Sequence, residues 1–430
     1  MDIQENRHSG AGKLFAGILI GIVLTVVLGF VFLYILGRVI TEPDQEAGNS
    51  STYATTTTQN GNGAVENYAD PGKVNLDAVS EKVQALEEVV EYYYLNEYSA
   101  TDLENGIYRG MLDELGDPYT VYFTPDEFTS FMESMNGSYC GIGVMVQQNP
   151  DTKVITIVRV FKTGPSAAAG VRAGDIIVAV DGTDVTSMML DNVVSMIRGE
   201  EGTSVTVTLM RGDERTDYTM NRAVVEVDTV MYTMLDGGIG YVSVLEFDDV
   251  TDEQYSEALN DLLSQGMQSL IVDLRDNPGG SLDTVCNMVN RMVSGGTIVY
   301  TEDKYGNVQT ETANDAESFD LPVAILVNGN SASASEVYTG AMRDHEKATV
   351  IGTTTFGKGI VQSLIPLNDG SAVKVTVSKY FTPSGVCIHG TGITPDIEVE
   401  SEVISAFDMD GNLVTEGDAQ LAEAIKVLTE

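Results

Sequence analysis

The densest nucleophile chemistry in this sequence is the run Ser331-Ala332-Ser333-Ala334-Ser335-Glu336, which follows the apolar stretch 323–327 and opens a helical pattern that ends at Arg343. A serine hydroxyl attacks poorly until a neighbouring base takes its proton. Histidine is the commonest such base, and the chain has three: His8, His345 and His389. His8 precedes a long apolar segment. His345 lies in the polar helix end Arg343-Asp344-His345-Glu346-Lys347 and is expected to be solvated, whereas His389 follows a Ser-Gly-Val-Cys stretch. No G-x-S-x-G occurs, so the familiar hydrolase elbow has no support. A lysine base is the remaining possibility. Lys358 stands between Gly357 and Gly359, behind Phe356, where backbone can approach closely. To work near neutral pH it must be desolvated enough to lose its proton. The negative field of an acidic chain opposes that, and Phe356 is a candidate source of the burial. The same residues have plainer explanations: Ser333-x-x-Glu336 is also a capping-box pattern, and Lys358 could be a surface lysine.

No metal chemistry is implied. Cys140, Cys286 and Cys387 are far apart, an odd number that cannot all pair, and no CxxC or Cys/His ligand spacing accompanies them. No cofactor is expected.

The elements around these residues fall into three textures. Residues 74–135 carry helical periodicity, with Leu76, Val79, Val83, Leu86, Val89 and Val90 on one face. A second helical stretch stops at Gly116-Asp117-Pro118, and Thr124-Pro125-Asp126-Glu127 opens a third. Residues 137–222 alternate short strands with glycine turns. They resemble a PDZ domain, because the Gly141-Ile142-Gly143 loop, the Gly164-Pro165-Ser166-Ala167 turn and Gly174-Asp175-Ile176-Ile177 occur in the expected order. A loop with two glycines can converge its N–H groups on an anion, and the strand beside it can accept an extended peptide. From about residue 224 the texture is α/β. Apolar strands at 239–245, 269–274, 323–327 and 349–352 alternate with helical stretches, and Arg275-Asp276-Asn277-Pro278-Gly279-Gly280 closes the second of them.

Length allows two or three domains. The formal net charge of −41 is spread along the chain, which disfavours phosphate backbones and excludes a nucleic-acid partner. Residues 14–36 hold no charge and are long enough to cross about 30 Å of hydrocarbon. With Arg7 and Lys13 before them and Arg38 after, they predict an uncleaved transmembrane anchor with a cytoplasmic N-terminus. The Thr-, Ser- and Gly-rich stretch that follows is expected to be a disordered tether.

Taken together, the motifs resemble those of the carboxyl-terminal processing peptidases, or tail-specific proteases. The resemblance covers about residues 76–428. It rests on Gly116-Asp117-Pro118-Tyr119-Thr120, the PDZ-like segment, Asn277-Pro278-Gly279-Gly280, the Ser331–Glu336 run, Thr355-Phe356-Gly357-Lys358-Gly359 with Gln362, and Gly392-Ile393-Thr394-Pro395-Asp396. It implies an α/β protease core, a crotonase- or ClpP-like spiral, with an inserted PDZ domain, to which the apolar and helical patterns above add a helical N-terminal region and one transmembrane helix. The implied boundaries are a cytoplasmic tail to 13, anchor 14–37, tether 38–73, helical region 74–135, PDZ domain 136–223 and core 224–430. It makes Ser333 the nucleophile, Lys358 the general base and Gln362 the holder of the lysine amine. The backbone N–H groups of Gly279 and Ala334 become the oxyanion hole, and Gly141, Ile142 and Gly143 the receptor for a substrate carboxylate. The implied partners are protein or peptide substrates bound by their C-termini, the membrane, a second copy and a regulatory protein. The implied location is the cell membrane, with the catalytic domain outside the cytoplasm. Two rivals remain: a tethered PDZ scaffold with an inactive core, and a Ser–His hydrolase using His389 or His345.

Overall fold

The computed structural model describes residues 72–430 except 151, 162, 315–318, 402–406 and 408–412. The N-terminal part contains α1 (Leu76–Tyr93), α2 (Ala100–Asp113), β1 (Val121–Phe123) and α3 (Pro125–Met135). The third helix starts where Thr124-Pro125 predicts. The Thr124 hydroxyl accepts the Glu127 N–H, the Glu127 carboxylate accepts the Thr124 N–H, and Pro125 occupies the first turn.

A second group follows: β2 (Ser138–Gly141), β3 (Val144–Gln148), β4 (Ile155–Val160), α4 (Pro165–Ala169), β5 (Ile176–Val180), β6 (Thr183–Asp184), α5 (Leu190–Ile197), β7 (Ser204–Arg211), β8 (Glu214–Asn221) and β9 (Ala223–Glu226). Its sheet runs β3-β4-β5-β7-β8, leaving β3 at an edge, and β2 pairs with β9 where the chain enters and leaves. The strands enclose their own core, in which Ile142, Ile157, Val180, Val193 and Val207 are buried.

The α/β part comprises β10 (Val230–Leu235), β11 (Ile239–Val244), α6 (Thr251–Ser264), β12 (Ser269–Asp273), α7 (Leu282–Met292), β13 (Gly296–Asp303), β14 (Val308–Ala313), β15 (Val323–Val327), α8 (Ala334–Asp344), β16 (Ala348–Gly352), β17 (Ile360–Pro366), β18 (Ala372–Phe381), β19 (Ile397–Glu398) and α9 (Ala419–Thr429). One sheet has the order β10-β11-β12-β15-β16-β19. It is parallel from β11 to β19, with β10 antiparallel at its edge. β11, β12 and β15 are buried at every position, because helices cover both faces of a parallel sheet. Residues of α6, α7 and α8 pack on one face and α9 on the other.

A second sheet has the order β1-β18-β13-β14, with β17 also on β18. Sequence periodicity alone does not disclose it. β1 belongs to the N-terminal part yet pairs with β18 in the register Val121↔Lys374 and Phe123↔Ala372. A strand from the region expected to be helical is thereby built into the wall beside Lys358.

One expectation is overturned. No helix among the described residues is long and apolar enough to cross a membrane. Residues 14–37, on which that expectation fell, lie outside the described residues, as does most of the expected tether. The transmembrane helix is withdrawn from the fold class, and the single-pass membrane location that rested on it is withdrawn too.

Candidate active site

The three serines of the run have different surroundings. Ser331 is buried, and its hydroxyl donates to the Leu274 carbonyl at 2.7 Å. Ser335 is buried, and its hydroxyl donates to the Asn277 carbonyl at 2.9 Å. Both stitch the turn to the end of β12. Ser333 alone is partly exposed. It sits at the N-terminus of α8 with φ 55° and ψ −113°, a backbone conformation that a residue with a Cβ rarely holds unless its surroundings impose it. Those surroundings are visible. The Ser333 N–H donates to Glu336 Oε2 at 2.9 Å. The Ser333 carbonyl accepts the N–H groups of Glu336 and Val337 and the Tyr380 hydroxyl at 3.1 Å.

Glu336 does more than complete a cap. Fully buried, its carboxylate accepts four hydrogen bonds. Oε1 takes the Thr355 hydroxyl at 2.6 Å and the Gly357 N–H at 2.7 Å, and Oε2 takes the N–H groups of Ser333 and Lys358 at 2.9 Å each. A buried carboxylate is tolerated when donors saturate it in this way. One oxygen atom therefore ties the serine turn to the lysine loop. The glycines beside Lys358 bring that loop down on the turn after Ile388: a Cβ on Gly359 would lie 2.6 Å from the His389 nitrogen, and one on Gly357 2.9 Å from the Gly392 nitrogen.

The Lys358 side chain is held by contacts that the sequence reading missed. Its Nζ lies over the Tyr119 ring, 4.8 Å from the centroid, while Phe356 is 51% exposed. Burial lowers the lysine pKa to about 8, and Lys374 pushes the same way against the charges of Asp117 and Glu336. Gln362, on β17, directs its amide to the Thr376 hydroxyl at 3.3 Å. Among the described residues no hydrogen bond joins it to Lys358. Tyr119 entered the sequence reading only as a member of the Gly116-Asp117-Pro118-Tyr119-Thr120 motif, with no role given to its side chain.

Gly279 packs against the serine turn. A Cβ there would lie 2.8 Å from Ser333 Cβ and 2.9 Å from the Ala334 nitrogen, so the position admits no side chain. The structure thus sets Gly279 beside Ala334, but the Gly279 N–H donates to Asn277 Oδ1 at 2.8 Å. Asn277, fully buried, also donates to the Val244 carbonyl.

His345 lies away from the serine turn, whereas the His389 backbone packs against Gly359 of the lysine loop. The His345 ring is partly buried rather than fully solvated, with its Nε2 2.8 Å from the Thr297 carbonyl. His389 is exposed. In the second group, Gly141, Ile142 and Gly143 are buried, and the Ile142 and Gly143 carbonyls accept the N–H groups of Ser166 and Phe161. Gln148 clips the end of β3 to the start of α5, donating to the Met188 carbonyl and accepting the Leu190 N–H.

Family models match the chain in three places: peptidase family S41 over residues 238–399, a PDZ domain over 131–210, and the activating protease CtpB N-terminal domain over 33–127. A probable CtpA-like serine protease of Staphylococcus haemolyticus is 38% identical over 352 residues, covering 80% of this chain and 70% of its own. Its counterpart from Staphylococcus aureus is 36% identical over 337 residues, covering 78% and 67%. Among solved structures, a photosystem II D1 C-terminal processing protease is similar at 31% identity and a TM-score of 0.45, over 76% of this chain and 89% of that one. The chain belongs to the C-terminal processing peptidases, serine proteases of peptidase family S41 that carry a peptide-binding PDZ domain.

Proposed function

We propose that this peptidase works with a Ser–Lys dyad, Ser333 as nucleophile and Lys358 as general base, on chains presented by their C-terminal tails. The observation that carries the proposal is the shared Glu336 oxygen, which holds the backbone of the one partly exposed serine of the run beside that of a lysine with depressed proton affinity. The steps follow from the groups present. Neutral Lys358 takes the hydroxyl proton as Ser333 Oγ attacks the scissile carbonyl. The oxyanion develops at the N-terminus of α8, where the Ala334 N–H and the helix dipole favour negative charge. The Gly279 N–H is the second donor, and the substrate oxygen shares it with Asn277 Oδ1. Protonated Lys358 then gives its proton to the leaving amine, which leaves an acyl-enzyme. It next removes a proton from the water that attacks the ester, and the release of Ser333 returns that proton to the serine oxygen.

Edge strand β3 supports peptide addition. The Gly141-Ile142-Gly143 loop, whose carbonyls are occupied inside the domain, has N–H groups to offer a terminal carboxylate.

The test compares the wild type with Ser333→Ala, Lys358→Arg and His389→Ala on a fluorogenic peptide and on its C-terminal amide. Guanidinium stays protonated at any usable pH, so folded Lys358→Arg and Ser333→Ala should both be inactive and His389→Ala active. The wild-type kcat/KM should climb toward pH 8 and level off, and the amide should be cleaved more slowly than the free acid. Turnover by folded Lys358→Arg would sink the dyad, and equal rates on both peptides would sink recognition of the tail.

A further inference from the structure

We propose that Tyr119 is a positioning residue for the base, its ring holding the Lys358 side chain in place, so that the turn 116–120 of the N-terminal part completes the active site. The inference rests on Lys358 being the base.

The geometry begins with the ring face, 4.8 Å from Nζ, a distance at which a cation is drawn to an aromatic quadrupole. The ring is not placed there by chance packing of a loose loop. Asp117 accepts the Tyr119 N–H at 3.0 Å and the Thr120 hydroxyl at 2.6 Å. Thr120, 3% exposed, in turn accepts the Thr376 N–H of β18 at 3.1 Å. One residue further on, Val121 enters the sheet opposite Lys374. The hydroxyl of the same Thr376 receives the Gln362 amide. Asp117, Thr120 and Thr376 thus lock Tyr119 to the strand pair that follows the lysine loop. The groups facing Nζ are then Tyr119 and Asp117 from the turn, Lys374 from β18 and Glu336 from α8, with His389 beside Asp117.

The ring acts on the proton in two opposed ways. It keeps water from the amine, which favours the neutral base, and its face favours the ammonium. Burial outweighs the neighbouring charges at Lys358, so the site as a whole holds a lysine that can act as a base near neutral pH. The two effects separate by substitution. Tyr119→Ala admits water and should move the acid limb of kcat/KM up by about one pH unit, with about a tenfold lower rate at pH 7 that recovers above the shifted limb. Tyr119→Leu keeps an apolar cover but loses the aromatic face, and should move the limb below that of the wild type. Tyr119→Phe keeps both, and its limb and rate should stay within about twofold of wild type.

The experiment is the pH profile of kcat/KM for the full chain and these three variants, beside Lys358→Arg, with circular dichroism at each pH. A residue that only supports the fold would change the rate by one factor at every pH and leave the limb in place, and that result in folded Tyr119→Leu overturns the proposal. If Tyr119→Ala does not fold, the other two variants decide: a limb moved down in Tyr119→Leu and unmoved in Tyr119→Phe supports the proposal, and an unmoved limb in both overturns it. An active Lys358→Arg would instead overturn the choice of base and leave Tyr119 without a reaction to serve.

Discussion

At the scale of single residues, the site depends on a carboxylate that never needs to meet substrate. Glu336 was legible in the sequence only as the third residue of a capping box. Its second duty, accepting Thr355, Gly357 and Lys358, involves residues some twenty positions later and becomes visible when β16 returns beside β15. Glu336→Gln keeps the shape but turns one of two saturated oxygens into a donor that faces other donors. Hydrogen bonds to a charged partner are worth roughly 1.5–3 kcal/mol each, and whichever oxygen is lost, two donors lose their partner. The expected result is a loss of kcat of at least about a hundredfold with KM within a few-fold, since positioning of the reacting groups is what fails. Glu336 also raises the proton affinity of Lys358, so the residual activity should have its acid limb below wild type. Steady-state kinetics across pH, with the melting temperature measured in parallel, check both. An unchanged kcat would mean that the serine turn and lysine loop hold their geometry without the shared oxygen.

At the scale of elements, what the sequence disclosed follows burial. β15 lies at Val323–Val327 as its unbroken apolar run predicts, buried at every position, and α5 at Leu190–Ile197 buries Val193 and Ile197 at helical spacing. β8 and β14 went unforeseen. Glu214–Asn221 and Val308–Ala313 are largely exposed and pair through backbone with little core behind them, so hydrophobic periodicity carries almost no trace of them. Tyr119 was hidden for a related reason: its partner is an amine far along the chain. A pairing of the same kind anchors the last helix. Asp418, buried at the start of α9, caps the Leu421 N–H at 3.1 Å and pairs with Arg275 at 2.8 Å. Arg275 also binds Asp273, which accepts the Tyr241 hydroxyl, at the end of β12 where the chain turns toward Gly279. Removing one member of a buried, hydrogen-bonded ion pair costs roughly 3–5 kcal/mol, and the lost cap adds about 1 kcal/mol. Asp418→Ala should therefore lower the melting temperature by several degrees, with amide protection falling first in α9. Loss of protection spread evenly over the core, with α9 no worse than its neighbours, would show that the helix is held by Leu421 and Ala424 packing on the sheet instead.

At the scale of the whole molecule, one short segment joins all three parts. The loop after β11 donates the Phe247 N–H to the Gly279 carbonyl and accepts the Ser281 N–H, so it lies directly behind the glycines of the site. The next residues meet the chain where it leaves α3 for the PDZ domain. The Asp249 N–H donates to the Met135 carbonyl, and a Cβ on Gly137 would lie 2.9 Å from Asp248 Cβ and 2.5 Å from a Val250 methyl. Gly137 itself has φ +61°, so both its backbone and its close approach favour glycine. Asp248 is 6% exposed, and burial, with Glu246 and Asp249 adding negative charge, raises its pKa to about 8. The folded protein therefore holds this proton more tightly than the unfolded chain, whose aspartate titrates near 3.9. The sign follows by linkage: stability from Asp248 is fully present at acid pH, declines as pH rises from about 4 to about 8, and is flat above. Ionisation there sets a buried charge behind Gly279 over the same range in which the Lys358 amine loses its proton. Asp248→Asn keeps the shape and removes the titration. Its melting temperature should exceed that of the wild type by a margin that widens between pH 5 and pH 8. Its peptidase rate should climb to the same plateau above pH 8 as that of the wild type, because Lys358 still sets that limb. Scanning calorimetry and kcat/KM over pH 5–10 measure the two. If the melting curves of variant and wild type run parallel across that range, Asp248 is not the group that links the junction to pH.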